Sequence, residues 1–320
     1  MKAEFEEKTY ENLMNIAFAC EFNAINIFAP GQILENDLGF DVMMNIKNQK
    51  FFRKFFYLKK RRRFFLHINY KNLKTKNNKL EQILKDSKVN FNIFIQYKRS
   101  DYFTCRSRKG KCCSQWQRPY YGYRLYINTN NKEKSQHELL LNLYNEILNK
   151  ALVVYAAPAF HTLKELFKYM NNYRELIKNS NFCDVGKLNN HRYVSFINGG
   201  TYNIACSKPE KIETLNIEKE IVKLKKHKYE DLNILYFRIK FIADIIDKIM
   251  KSKKDEQINP IKQQYQDFVE KTHLKEFEIL NIIYKIQLFQ LLTNTNILWN
   301  IEYELNSWDR RIRKSPILKI

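Results

Sequence analysis

Glycine and proline are both scarce, at 7 and 6 of 320 residues. That excludes collagen-like chains and Gly/Pro-rich low-complexity chains. It also leaves little glycine for the backbone loops that cradle nucleotide phosphates. No Walker A loop, Gly-x-Gly-x-x-Gly, Gly-x-Ser-x-Gly or His-Glu-x-x-His occurs, so an ATP-driven step would need a partner protein. No uncharged run reaches the ~18 residues of a membrane span. The start, Met1 to Glu7, is acidic and has no apolar leader segment. The expectation is a cytoplasmic chain with no membrane partner. The six cysteines (20, 105, 112, 113, 183, 206) are irregularly spaced and are expected to be reduced and mostly buried. Cys105, Cys112 and Cys113 lack the paired Cys-x₂₋₄-Cys spacing of a zinc site. No internal repeat is present.

What the chain does have is apolar bulk and positive charge. Hydrophobic residues make up 44%, including 20 Tyr and 23 Phe, enough for a substantial core. The net charge is +22, which points to a polyanionic partner. An AT-rich coding bias toward Lys, Asn, Ile, Phe and Tyr accounts for part of that total. It does not account for the distribution. Residues 1–45 carry 2 basic and 8 acidic side chains, residues 46–90 carry 15 and 2, and residues 91–131 carry 8 and 1.

Apolar periodicity predicts a helix over 6–28, stopped by Pro30-Gly31, and a strand over 38–46. Residues 50–70 read as a basic β-hairpin whose tip is Lys59, Lys60, Arg61, Arg62 and Arg63. A short helix follows at 78–86, then a strand at 91–98. Residues 99–119 read as a basic loop. A strand at 120–128, a helix at 134–149, a buried strand at 151–156 and a helix at 162–178 come next. A hairpin is expected around Asn198-Gly199-Gly200. Residues 217–254 and 261–300 read as two long helices forming a helical hairpin, split at Asn259-Pro260.

Two short segments carry the chemistry. Leu38-Gly39-Phe40-Asp41-Val42 places an acid at the start of an apolar run. Phe91 to Lys98 is an apolar strand that ends in Gln96-Tyr97-Lys98. Side chains alternate along a strand, so Gln96 and Lys98 share a face. The order helix, strand with Asp, strand with Gln-x-Lys, helix, strand resembles the restriction-endonuclease-like, PD-(D/E)xK nuclease superfamily over about residues 10–160. Gln96 stands where most relatives have an acid, and the gap from Asp41 to Gln96 is long for the family.

The resemblance implies an α+β fold: a mixed sheet flanked by helices, with a basic insertion at 47–90 and a C-terminal helical hairpin. It implies a nuclease-like domain at 1–212 and a helical domain at 213–320. The implied activity is metal-dependent DNA cleavage, of a kind that often serves bacterial restriction or antiphage defence. Asp41 and Gln96 would bind Mg²⁺ or Mn²⁺, Lys98 would act on the attacking water or the pentavalent phosphate, and Glu35 would assist. Glu21 is the alternative carboxylate, and Asp37 a third that also fits a turn cap. Lys59 to Arg63 and Arg99 would grip phosphates. His137 and His161 stand at element ends, where either a cap or a phosphate contact is possible. The alternative reading is a non-catalytic nucleic-acid-binding protein with a degenerate nuclease fold. A third is an assembly protein whose C-terminal helices pair with a partner or a second copy.

Overall fold

The computed structural model describes residues 1–28, 70–103, 122–127, 130–226, 232–252 and 274–303, with positions 263, 266 and 270. The expected strand at 38–46, the basic hairpin at 50–70 save Tyr70, which begins a helix, and the three cysteines of the basic loop lie outside these residues.

The chain opens with α1 (Glu7–Phe22), whose Tyr10, Leu13, Met14, Ala17 and Phe18 are buried at helical spacing. Asn23, in the left-handed region at φ 53°, ends it and turns the chain into the two-residue strand β1 (Ala24–Ile25). Then come α2 (Tyr70–Lys85), β2 (Ser87–Tyr97), β3 (Asp101–Phe103), β4 (Gly122–Tyr126), α3 (Asn131–Ile147) and β5 (Leu152–Pro158). The helical segment expected at 162–178 is two capped pieces, α4 (Leu163–Met170) and α5 (Tyr173–Lys178). Thr162 and Glu165 close a reciprocal capping box on α4, and Asn172 caps α5. β6 (Ser180–Asp184) runs into a single 3₁₀ turn (Val185–Leu188). β7 (Tyr193–Phe196) and β8 (Tyr202–Cys206) form the expected hairpin, with Gly199 at φ 65° in its turn. β9 (Glu210–Glu213), α6 (Ile217–Lys226), α7 (Leu235–Ser252), α8 (Glu278–Thr293) and β10 (Asn296–Tyr303) complete the order.

The architecture is mixed α+β with two five-stranded sheets, β1-β10-β2-β5-β6 and β3-β4-β7-β8-β9. In the first, β2 and β5 are parallel and the other pairs antiparallel. Both faces of this sheet are covered. Phe94, Val153 and Tyr155 share a core with α2, α3, α7 and α8. Ile93, Ile95, Tyr97, Val154 and Ala156 point the other way, into a core built with α1, α5 and α6. Burial on both faces explains why β2 and β5 read as nearly continuous apolar runs. The second sheet is antiparallel throughout. Its Leu125, Val194, Phe196 and Ala205 join the core under α3.

The C-terminal part departs from expectation in two ways. Residues 296–303 are not helical: they form β10, which inserts between β1 and β2. The first sheet is therefore built from both sides of the expected boundary at 212. In addition, α7 and α8 do not form a hairpin. Lys240 pairs with Glu278 at 2.5 Å, and Asp247 with Lys285 at 2.5 Å, so the two helices run side by side in the same sense. Their buried faces (Ile239, Ile242, Ile246; Ile279, Ile286, Phe289) pack into the first core.

Of the cysteines among the described residues, Cys20 and Cys183 are free, and Cys206 is disulfide-bonded, contrary to the expectation of reduced thiols. Burial pushes the Cys183 thiol up to about 12, so it packs as an inert apolar group. No helix among the described residues is long and apolar enough to cross a membrane.

Candidate active site at the ends of β2 and β5

The parallel pair β2–β5 ends in a buried polar cluster, the position where open α/β sheets hold ligands. Lys98 extends the pairing by donating its backbone N–H to the Ala156 carbonyl at 2.9 Å. Alternation turns Gln96 and Lys98 toward α3, away from the face that buries Ile95 and Tyr97. Gln96 is 1% exposed and Lys98 is 9% exposed. The Gln96 amide donates from Nε2 to Gln136 Oε1 at 3.1 Å. Gln96 Oε1 is buried with no hydrogen-bond partner among the described residues.

Tyr155 stands opposite Gln96 in the β2–β5 register. Its hydroxyl lies 3.0 Å from His137 Nδ1, with the two rings stacked at 27°. His137 is 3% exposed, and its Nε2 has no well-aligned partner among the described residues. Burial draws the imidazole down to about 4; the Leu188 backbone and Glu138 oppose that shift, while the charges of His191 and Lys98 add to it. His191 follows Asn190, which turns the chain at φ 64°. Its Nε2 lies 3.4 Å from Glu210 Oε2, and its buried Nδ1 is unpartnered among the described residues.

The low His137 value has a consequence for stability. The unfolded ring titrates near 6.5 and the folded one near 4, so between these the unfolded chain binds more protons. The contribution is complete above pH 7, falls by about 2 kcal/mol by pH 5, and is lost, at about 3 kcal/mol, below pH 4. Urea midpoints from pH 7.5 to 4.5 are expected to fall more steeply for the wild type than for His137→Gln. Parallel slopes would show that His137 titrates normally in the folded chain.

The other expected site residues are placed as follows. Asp41, Glu35, Asp37, Lys59, Lys60, Arg61, Arg62 and Arg63 lie outside the described residues. Glu21 is not near Gln96. It lines a cleft with Asn90, Lys225, Asn300 and Glu302, and Asn90 is six residues upstream of Gln96, about 20 Å along the strand. The Glu21 alternative for the metal set therefore fails on distance. Arg99 points to the opposite face from Lys98. Its guanidinium pairs with Glu6 at 3.3 Å and donates to the Ala3 carbonyl, and its backbone N–H donates to Glu7 Oε2 at 3.1 Å. Arg99 clamps the amino-terminal segment onto the end of β2, with its charge already matched by Glu6. His161 stacks on Tyr102 at 3.9 Å and 9°, and its backbone N–H donates to Glu165 Oε2. It belongs to the α4 cap.

Among the described residues no group of three His, Cys, Asp or Glu side chains is arranged to hold a metal ion. Among the described residues Gln96 supplies one open neutral oxygen.

Gln136 and His191 carry no sequence signal of their own. One clue was present on α3. Gln136 and His137 fall on the stripe that buries Leu139, Leu140, Leu143 and Ile147, and polar groups on a buried stripe need partners.

No protein-family model, no curated protein and no solved structure matches this chain.

Proposed function

We propose that the chain is a metal-dependent nuclease acting on DNA, with a restriction-endonuclease-like core whose site lies at the ends of β2 and β5. The observation that carries this reading is the paired Gln96 and Lys98: two consecutive same-face positions at the end of a buried strand, one with an open acceptor oxygen, the other a nearly buried ammonium. An unpartnered amide oxygen is costly to keep in a core. A hard cation answers that cost.

The residues fit a cation in part. Gln96 Oε1 is left as the open atom of the amide because Nε2 is tied to Gln136, and Asp41 and Glu35 would supply the charge that Gln96 lacks. A bound Mg²⁺ or Mn²⁺ would keep several waters and supply charge neutralisation and water activation. Lys98 then balances charge on the phosphate: water oxygen bonds to phosphorus, one P–O ester bond breaks, and the leaving oxygen takes up a proton. The charge of +22 serves the encounter with a polyanion at moderate salt. In supercoiled-plasmid assays with Mg²⁺ or Mn²⁺, the wild type is expected to nick or linearise DNA, EDTA to stop it, and Asp41→Ala and Lys98→Ala each to cut at least about 100-fold more slowly.

A second reading has its own observation. No group of three His, Cys, Asp or Glu side chains among the described residues could hold a metal ion, as in a chain that binds nucleic acid without cutting it. Salt-sensitive DNA binding with no cleavage in either metal would select that reading.

A further inference from the structure

Exposed large apolar side chains are scattered over separate elements of this fold, except on α4, which carries three. Leu163, Phe167 and Met170 are 41%, 58% and 38% exposed. They stand at i, i+4 and i+7 of the helix, so they form one row along it. Leu166 and Tyr169 make the buried face. Helical spacing sets Lys164 and Asn171 outermost, opposite that face, and the apolar row along one flank. Lys164, Lys168 and Asn171 are all exposed. Single apolar residues on a surface need no explanation, but a row edged by cations does.

The outward charge of this helix is positive. Lys164 and Lys168 are one turn apart, with Cβ atoms about 5–6 Å from each other, and neither makes an ion pair among the described residues. The nearby acids are engaged at the amino end of α4. Glu165 Oε2 accepts from the backbone N–H groups of His161 and Thr162 and from the Thr162 hydroxyl. Glu4 Oε2 accepts from the Leu163 N–H at 2.8 Å. On α5 the charges are matched, Arg174 with Glu218 and Lys178 with Glu175. The helix also lies where a ligand of the first sheet would pass, because β5 leads into it through residues 159–162.

Resting on the reading of this chain as one that acts on DNA, we propose that α4 is a contact for a single-stranded stretch of that DNA. An unpaired base stacks on Phe167, Leu163 and Met170 cover its edges, and Lys164 and Lys168 take the phosphates beside it. The contact uses no residue of the buried cluster at the ends of β2 and β5. Two other occupants fit less well. A bilayer would meet the outermost side chains first, and those are Lys164 and Asn171, not the apolar row. A partner protein needs about 800 Å² on each side, whereas three partly exposed side chains offer on the order of 250 Å². One aromatic ring between cations is enough to stack a base.

The test is fluorescence anisotropy on a short labelled strand of thymidines, in EDTA and across a range of salt, with phosphatidylserine vesicles as the competing probe. Phe167→Ala is expected to weaken binding to the strand about tenfold with its salt dependence unchanged. Phe167→Trp should keep wild-type affinity and add emission that the bound strand quenches. Replacing Lys164 and Lys168 together by Ala should reduce the slope of log affinity against log salt by about 1.4, for two phosphates at about 0.7 each. Leu291→Ala, at an exposed apolar position on α8, should change nothing. Wild-type affinity in Phe167→Ala, or no quenching in Phe167→Trp, overturns the inference. So does a wild type that ignores the strand, or one whose Phe167-dependent binding goes to the vesicles instead. A wild type that binds the strand through Phe167 but cuts no DNA in Mg²⁺ or Mn²⁺ removes the nuclease reading and leaves this contact standing.

Discussion

A chain ending at Thr293 is expected to lose cooperative folding altogether. The deletion removes β10, which pairs with β1 on one side and with β2 from Ser87 to Ile95 on the other. Its Ile297, Leu298, Trp299 and Ile301 are all buried. At about 1.5–3 kcal/mol each, these four side chains alone stabilise the fold by an amount comparable to the ~5–15 kcal/mol that separates a native domain from its unfolded chain. The unpaired edges of β1 and β2 add to the loss, because buried backbone groups left without partners are costly. Far-UV and near-UV circular dichroism on the 1–293 chain, with a urea titration, checks this. A cooperative transition near the full-length midpoint would mean that residues past 293 are dispensable and that β10 does not complete the sheet. The graded form is Trp299→Ala. Trp299 packs edge-on against Phe28 at 5.7 Å, and its truncation is expected to cost about 3–5 kcal/mol.

Gln96→Glu should convert stability into a metal-dependent property. In the metal-free chain it replaces the Nε2 donor to Gln136 with an oxygen and buries a charge at a position 1% exposed. A loss of about 2–4 kcal/mol is expected for an ionised carboxylate at so buried a position. If the oxygen of residue 96 faces a cation site, the new carboxylate raises metal affinity, and a ligand at 100 times its Kd returns about 2.7 kcal/mol. The melting temperature of Gln96→Glu is therefore expected to rise with Mg²⁺ or Mn²⁺ far more than that of the wild type. A variant that is destabilised and indifferent to both metals would place Gln96 in the core as a structural amide and remove it from any ligand set.

The parts of this fold that were legible in the sequence are those whose pattern is decided locally. β2 and β5 are buried on both faces, so their apolar runs read as strands, and α3 announces itself through Leu139, Leu140, Leu143 and Ile147. β10 did not. Ile297-Leu298-Trp299 follows α8 after only Asn294, Thr295 and Asn296, and a continuous apolar run has no period that separates a buried strand from more helix. The decisive signal was small: Asn294 in the left-handed region, a helix stop that asparagine supplies less often than glycine. β6 was missed for a different reason. Its Asn181 and Cys183 are held by Asn203, so their burial depends on a strand twenty residues away.

The site divides along the same line. That Gln96 and Lys98 share a face follows from strand alternation alone. That Gln136, His137, Tyr155 and His191 gather around them follows from the packing of α3 and the 185–191 turn against the sheet, which no short motif encodes. Glu21 shows the limit in the other direction: an acid that looked available in the sequence lines a cleft with Asn90, six residues up β2 from Gln96.

The most direct test of the central claim compares cleavage and binding for wild type and Lys98→Ala on one DNA duplex, under single-turnover conditions in Mn²⁺ and with Ca²⁺ for binding. The account predicts a wild type that cuts, and a Lys98→Ala variant that binds within a few-fold of it and cuts at least about 100-fold more slowly. Equal cleavage by the two proteins, or DNA binding by both with cleavage by neither, would contradict it.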